Sequence, residues 1–278
     1  MDSLLPSEMA HKAEEVGIAK AKMGFSKTLI LAILAGAFIA FGAVFSTTAT
    51  AGSTMSFGLT KVVGGLTFSL GLVLVIVGGA ELFTGNNLIV MAWANKKVST
   101  LLVLRNWLLV YVGNMIGALA IAVLIFLSKQ YLFGKGAVLI NIMNIAQAKC
   151  QTGFVPGITL GILCNVLVCL AVWLCFSAKT VTGKIISIIF PVTAFVACGF
   201  EHCIANMYFV PLGMLIKLYG GEEANAIIEA NGANYDALNI SDFITDNLLP
   251  VTIGNVIGGA VLVGMVYWFV FLRNQKAR

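Results

Sequence analysis

The chain is short of charge. Only 10% of its 278 residues are Asp, Glu, Lys or Arg, against 59% apolar. Soluble domains carry about 25% charged residues, so the deficit excludes an ordinary soluble domain and points to an integral membrane protein in a lipid bilayer. Histidine is scarcer still, with His11 and His202 alone. The His-Glu-x-x-His arrangement of a zinc hydrolase needs a second histidine that the sequence lacks. The six cysteines (Cys150, Cys164, Cys169, Cys175, Cys198 and Cys203) form no Cys-x-x-Cys pair, which argues against a zinc site or a disulfide framework. Five of them fall in apolar segments and read as small buried hydrophobes. There is no Gly-x-Ser-x-Gly elbow and no cofactor motif. An enzyme is therefore not expected, nor a metal or cofactor. A net charge of +5 does not call for nucleic acid, because the basic residues sort by membrane side.

What is present is a succession of apolar runs. About 20 apolar residues cross a bilayer, and runs of that order lie at about 28–48, 62–80, 106–127, 157–177, 185–216 and 250–272. Residues 1–27 lack the 7–15-residue apolar core of a signal peptide, so the first span is expected to direct insertion. Residues 7–27 set Met9, Ala13, Val16, Ile18 and Met23 among charges, the pattern of an amphipathic helix lying on the membrane or beneath the bundle. The expected organisation is this cytoplasmic helix (1–27) and one transmembrane domain (28–278). With six spans, Lys12, Lys20, Lys22, Lys27, Lys96, Lys97, Arg105, Lys179, Lys184, Arg273, Lys276 and Arg278 share the side of the termini. Lys61, Lys129, Lys135, Lys149 and Lys217 take the other. The positive-inside rule then puts both termini in the cytoplasm of a cell-membrane protein. The acidic stretch 217–249 is expected to be a polar connection folded over the opposite face.

Two spans are interrupted. The second meets Glu81 and then Thr84-Gly85-Asn86-Asn87; the fifth carries Gly199-Phe200-Glu201-His202-Cys203. Ionisable groups at such depth face a bundle interior or a polar cavity, and unwound backbone there lines a cavity or is buried in protein. The spans that follow share a motif, Gly113-Asn114-Met115-Ile116-Gly117-Ala118 and Gly254-Asn255-Val256-Ile257-Gly258-Gly259. Each half (about 28–128 and 157–273) thus holds three helices with the middle one broken. Three spans per repeat force the halves into opposite orientations, an inverted 3+3 repeat with its site near the midplane.

Half-helix N-termini at the breaks offer free N–H groups and a positive dipole end, which suit an anion. Thr84 and the Gly85-Asn86-Asn87 turn supply hydroxyl and amide donors at the first break. His202 is read as a pore residue rather than a satisfied core histidine, since an imidazole titrates near neutrality. Glu81 and Glu201 are expected to brace the breaks through backbone N–H bonds. Lys149, in an outer connection, reads first as a solvated lysine. Asn114, Asn165 and Asn255 read as helix-to-helix hydrogen-bonding amides, and Phe68, Leu72, Leu82 and Phe195 as core.

The runs Glu81-Leu82-Phe83-Thr84-Gly85-Asn86, Gly199-Phe200-Glu201-His202-Cys203-Ile204-Ala205-Asn206-Met207 and Thr252-Ile253-Gly254-Asn255 closely resemble the formate/nitrite transporter family. The resemblance runs from the N-terminal helix to Arg273. It implies an aquaporin-like fold in a homopentamer whose protomers each hold a pore for small anions. Thr84 and His202 would then face each other in a central vestibule, with Asn165 nearby and Lys149 adding positive field. Leu72, Leu82 and Phe195 match the cytoplasmic slit; Phe68, Val168 and Ala205 match the outer one. Glu201 and Asn255 match supporting positions, and Glu81 is grouped with them. Formate-type members carry an aspartate and a Ser-Thr run at the first break, where this chain has Glu81 and Gly85-Asn86-Asn87. That departure points to the hydrosulfide or nitrite branches, hydrosulfide first, with formate and nitrite as alternatives. A water or ammonia channel is the nearest rival, but aquaporins need two Asn-Pro-Ala motifs and the chain has none.

Overall fold

The computed structural model describes residues 3–273, and all regular structure among them is helical. Lys276 and Arg278, counted above on the side of the termini, lie outside the described residues. The elements are α1 (Pro6–Ala21), α2 (Phe25–Thr50), α3 (Phe57–Gly78), the short α4 (Phe83–Asn86) and α5 (Val90–Ala94), α6 (Thr100–Leu127), α7 (Ala137–Cys150), α8 (Phe154–Ser177), α9 (Val181–Ala197), α10 (Cys203–Tyr219), α11 (Gly221–Ala230) and α12 (Ile240–Phe271). Five of these, α2, α3, α6, α8 and α12, are long and apolar enough to cross a membrane on their own. α9 and α10, 17 residues each, flank the second break; α10 together with α11, bent by 105°, is the sixth candidate by length and composition, and α9 is a shorter apolar helix.

Two boundaries differ most from the sequence reading. The amphipathic helix stops at Ala21, because the chain turns and extended Gly24 leads into α2 at Phe25. The sixth span starts at Ile240, ten residues before the expected 250, so Asp242 and Asp246 stand in its first turns. Acids there are favoured by the helix dipole, and Asn239 caps the helix by accepting the Asp242 N–H at 3.0 Å. The connection is also partly helical, through α11.

Within each half the first span is the hub. α2 packs on α3 and α6, and α8 packs on α9 and α12; the halves meet where α3 crosses α9 and α6 meets α10. The repeated Gly-Asn-x-Ile-Gly motif explains the hub contacts. A methyl group at Gly117 would strike the backbone oxygen of Ile33, and one at Gly258 that of Ile162. Small residues let transmembrane backbones approach in this way.

The breaks are built alike. α3 ends at Gly79, left-handed with φ +81°, and the loop after α9 turns at Gly199 with φ +71°, a conformation that costs glycine alone little. The N–H groups of Ala80 and Phe200 then close on Val75 and Phe195 carbonyls, each at 2.9 Å. One residue on, the Glu81 N–H reaches the Leu31 carbonyl of α2 at 3.1 Å, and the Glu201 N–H reaches the Leu160 carbonyl of α8 at 3.3 Å. Leu82 and His202, both extended, open α4 and α10. Two like frames therefore carry an apolar residue in one and an imidazole in the other.

Candidate permeation site

Each break is stapled by the asparagine of its motif. Asn114 accepts the Phe83 N–H at 2.9 Å and donates to the carbonyls of Ala32 and Glu81 at 2.7 and 2.9 Å. Asn255 accepts the Cys203 N–H at 3.0 Å and donates to the carbonyls of Gly161 and Glu201 at 2.8 and 2.9 Å. All of these groups are buried, and a buried amide is stable only when bonded. Fewer N–H donors are free at the breaks than expected. The first N–H of α4 and of α10 is consumed by an asparagine, and the Ala205 N–H is taken by the ring of His202.

The carboxylates do not cap backbone N–H groups either; they hold lysines. Lys20 on α1 donates to Glu81 Oε1 at 2.8 Å and to Asn86 Oδ1 at 2.9 Å, while Asn86 Nδ2 donates to Glu81 Oε2 at 2.7 Å. Lys149 on α7 donates to both oxygens of Glu201 at 3.1 and 3.0 Å, and Asn206 Nδ2 donates to Glu201 Oε2 at 2.7 Å. Lys149 is thus no solvated lysine: its side chain is 14% exposed. Asn106 and Asn247 complete the clusters, each accepting from the amide of Asn86 or Asn206. Lys20, Asn106, Asn206 and Asn247 escaped the sequence reading, whereas Asn86 was expected as an amide donor and spends its amide on Glu81 and Asn106. Their signal was the spacing: Glu81 and Glu201 each precede an asparagine by five positions, and Asn106 and Asn247 each precede the motif asparagine by eight. Lys20 and Lys149 likewise stand five residues before α2 and α8.

At the centre His202 Nε2 lies 3.0 Å from Thr84 Oγ1. Its other nitrogen, Nδ1, accepts the Ala205 N–H at 3.1 Å. A nitrogen that accepts cannot carry the proton of a neutral imidazole, so that proton sits on Nε2 and points to Thr84. The threonine oxygen accepts it, which leaves the hydroxyl proton for another partner. Phe195 stacks beside the imidazole with centroids 6.1 Å apart, and Phe68 meets Phe195 edge-on at 5.9 Å. Asn165 lies behind Thr84 as a brace, its Nδ2 donating to the Asn255 carbonyl at 2.7 Å, Asn87 Oδ1 at 2.9 Å and the Thr84 carbonyl at 3.3 Å.

Two funnels lead towards the centre, and the second reaches His202. One, of about 450 Å³, is walled by Lys12, Lys20, Lys184, Glu81, Leu72 and Leu82 among others. The second, of about 390 Å³, is walled by Lys61, Lys149, Glu201, Phe68, Phe195, His202 and Ala205 among others. Between them a void of about 10 Å³ is enclosed by Ile39, Phe68, Leu72, Leu82, Val168, Val192, Phe195 and His202, room for about one water. Leu72 and Leu82 close the first funnel; Phe68 and Phe195 close the second, with Ala205 on its wall. Phe195 thus lines the second funnel and the void, while Val168 lines the void. A bare ion crossing this plug would lose its hydration to apolar side chains, at a cost of many kcal/mol.

Comparison with known proteins agrees with this architecture. The formate/nitrite transporter family model matches residues 7–269. The chain is 46% identical to formate channel FocA of Escherichia coli strain K12 over 275 residues, covering 99% of this chain and 96% of that one. It is 41% identical to formate channel FocA of Haemophilus influenzae, covering 95% and 93%. Among solved structures it is similar to a pentameric formate channel with formate bound, at 42% identity and TM-score 0.80, covering 90% of this chain and 98% of that one. An FNT family ion channel superposes with TM-score 0.81 at 26% identity, covering 95% and 98%. The chain belongs to the formate/nitrite transporter family.

Proposed function

We propose that this protein is a channel for small monovalent anions of weak acids, with formate as the first cargo. The observation that carries the reading is the Thr84–His202 pair at 3.0 Å, set in an apolar plug between two lysine-bearing funnels. Long-range similarity to proteins named formate channels moves formate ahead of the hydrosulfide favoured by Glu81 and Gly85-Asn86-Asn87; hydrosulfide and nitrite remain cargoes of the same chemistry. The α1 end faces the cytoplasm, where Lys12, Lys20, Lys22, Lys27, Lys96, Lys97 and Arg105 gather by the positive-inside bias. Five copies assemble, each with its own pore, as in the similar pentamer.

Lysine fields draw an anion into a funnel. At the plug the Nε2–H of His202 and the hydroxyl of Thr84 are the two donors within reach. An anion whose acid is weak takes strong hydrogen bonds from these donors, or takes a proton from water in the funnel, and passes the apolar slits with its charge largely cancelled. Leu72 and Leu82 form the cytoplasmic slit; Phe68 and Phe195, with Ala205 beside them, form the outer one rather than Phe195 joining the cytoplasmic side, and Val168 lines the void between. Chloride, whose acid is strong, gains far less.

The test is flux in liposomes across a pH series for formate, hydrosulfide, nitrite and chloride, with His202→Ala alongside. Formate flux that exceeds chloride flux only when His202 is present supports the reading. Unchanged discrimination in His202→Ala removes the histidine from the mechanism, and passage of water or ammonia without anion flux overturns the anion channel.

A further inference from the structure

The two lysine clusters are built alike but not filled alike. Among the described residues three buried side-chain atoms lack a hydrogen-bond partner, and one of them, Asn206 Oδ1, belongs to a residue that walls a funnel. The amide is oriented, because Nδ2 donates to Glu201 Oε2 at 2.7 Å and to Asn247 Oδ1 at 2.6 Å. Oδ1 is therefore the orphan, and a buried acceptor without a donor is costly. In the other half Asn86 Oδ1 accepts from Lys20 at 2.9 Å, and Lys20 gives another N–H to Glu81 Oε1 alone. Lys149 instead sits astride both oxygens of Glu201.

The difference has a local cause. Lys149 Nζ lies 5.3 Å from the ring centroid of Phe209, a cation–π contact. The matching position, three residues after Asn86, is Ile89, which has no ring to offer Lys20.

We propose that Asn206 Oδ1 is a second seat for the Lys149 ammonium, left vacant by the pull of the Phe209 ring, and that Asn206 is a positioning residue for anion capture. The move strands no group. Glu201 Oε1 keeps the lysine, and Oε2 keeps the N–H groups of Asn206 and Asn247, the latter at 3.2 Å. It exchanges a charged acceptor for a neutral one, so less of the ammonium charge is cancelled at close range and more field reaches the funnel. The seated lysine holds an entering anion more firmly. This rests on the anion-channel reading above.

The experiment is a double-mutant cycle on formate flux in liposomes, joined to a structure of Phe209→Leu. Removing the ring releases the lysine to the vacant seat. The concentration for half-maximal flux then falls about threefold, the factor that such a contact is worth at a partly exposed site, with little change in maximal flux. In an Asn206→Ala background the same change has no effect. The structure of Phe209→Leu shows Lys149 within hydrogen-bond distance of Asn206 Oδ1. Additive effects of the two substitutions, or a lysine still astride Glu201 in that structure, overturn the proposal. If Asn206→Ala does not assemble, Phe209→Leu with Lys149→Met gives the equivalent cycle, in which the ring effect vanishes if the lysine mediates it and persists if it does not. Absence of formate flux in the parent would defeat the cargo reading, while the structure of Phe209→Leu would still decide the seat.

Discussion

Lys20 Nζ lies 2.8 Å from Glu81 Oε1 across 61 residues of sequence. This contact ties α1 to the first break. Glu81 is 6% exposed at its side chain and Lys20 25%, so solvent screens the pair only in part. Lys20→Met should cost about 1–2 kcal/mol, above the exposed-pair range but below a fully buried pair, because Glu81 is left with an unmatched charge. The double variant Lys20→Met with Glu81→Gln should recover most of that loss. Thermal unfolding of the purified protein in detergent measures both, and no recovery would mean that packing of α1 carries the stability.

The hydroxyl of Thr84 can be removed while the histidine stays. Thr84→Val keeps the volume and leaves His202 Nε2 without its acceptor at 3.0 Å. A hydrogen bond to a charged partner is worth about 1.5–3 kcal/mol, so formate flux should fall at least about tenfold. Thr84→Ser, which restores the hydroxyl, should recover most of it; equal losses in both variants would mean that the methyl group, not the oxygen, matters.

Phe195 touches both the imidazole and Phe68. Phe195→Ala opens the plug beside a void of about 10 Å³. Water then enters, and chloride no longer needs to shed its shell. Chloride flux should rise about tenfold or more as the desolvation barrier falls by a few kcal/mol, while formate flux changes less. A chloride flux unchanged from the parent would place the barrier elsewhere.

Gly117 and Gly258 are the sites where the motif helices press on the first spans. An alanine at either meets a carbonyl of Ile33 or Ile162, and such overpacking costs about 1–3 kcal/mol. Gly58→Ala, with open space around it, is the control. Thermal unfolding should rank both motif variants well below the control.

Much of this architecture was legible in the sequence because membranes punish polarity. Glu81 and Glu201 stood out within apolar runs, and the recurrence of Gly-Asn-x-Ile-Gly placed the third span of each half. What those glutamates bind was not legible. Lys20 and Lys149 lie in polar segments, where a lysine looks solvated, and only the folded chain brings each to its carboxylate. The start of α12 was missed because Asp242 and Asp246 made helical turns resemble a loop. The donors at the breaks were overcounted because Asn114 and Asn255 reach them from spans far along the chain.

The backbone frame treats its two faces almost as equals, down to the lysine, glutamate and asparagines of each cluster. Inward and outward travel through such a frame would be mirror processes. Any preference for import or export by this protein must therefore be written at the few positions where the halves disagree, and a leucine facing a histidine is the one nearest the cargo.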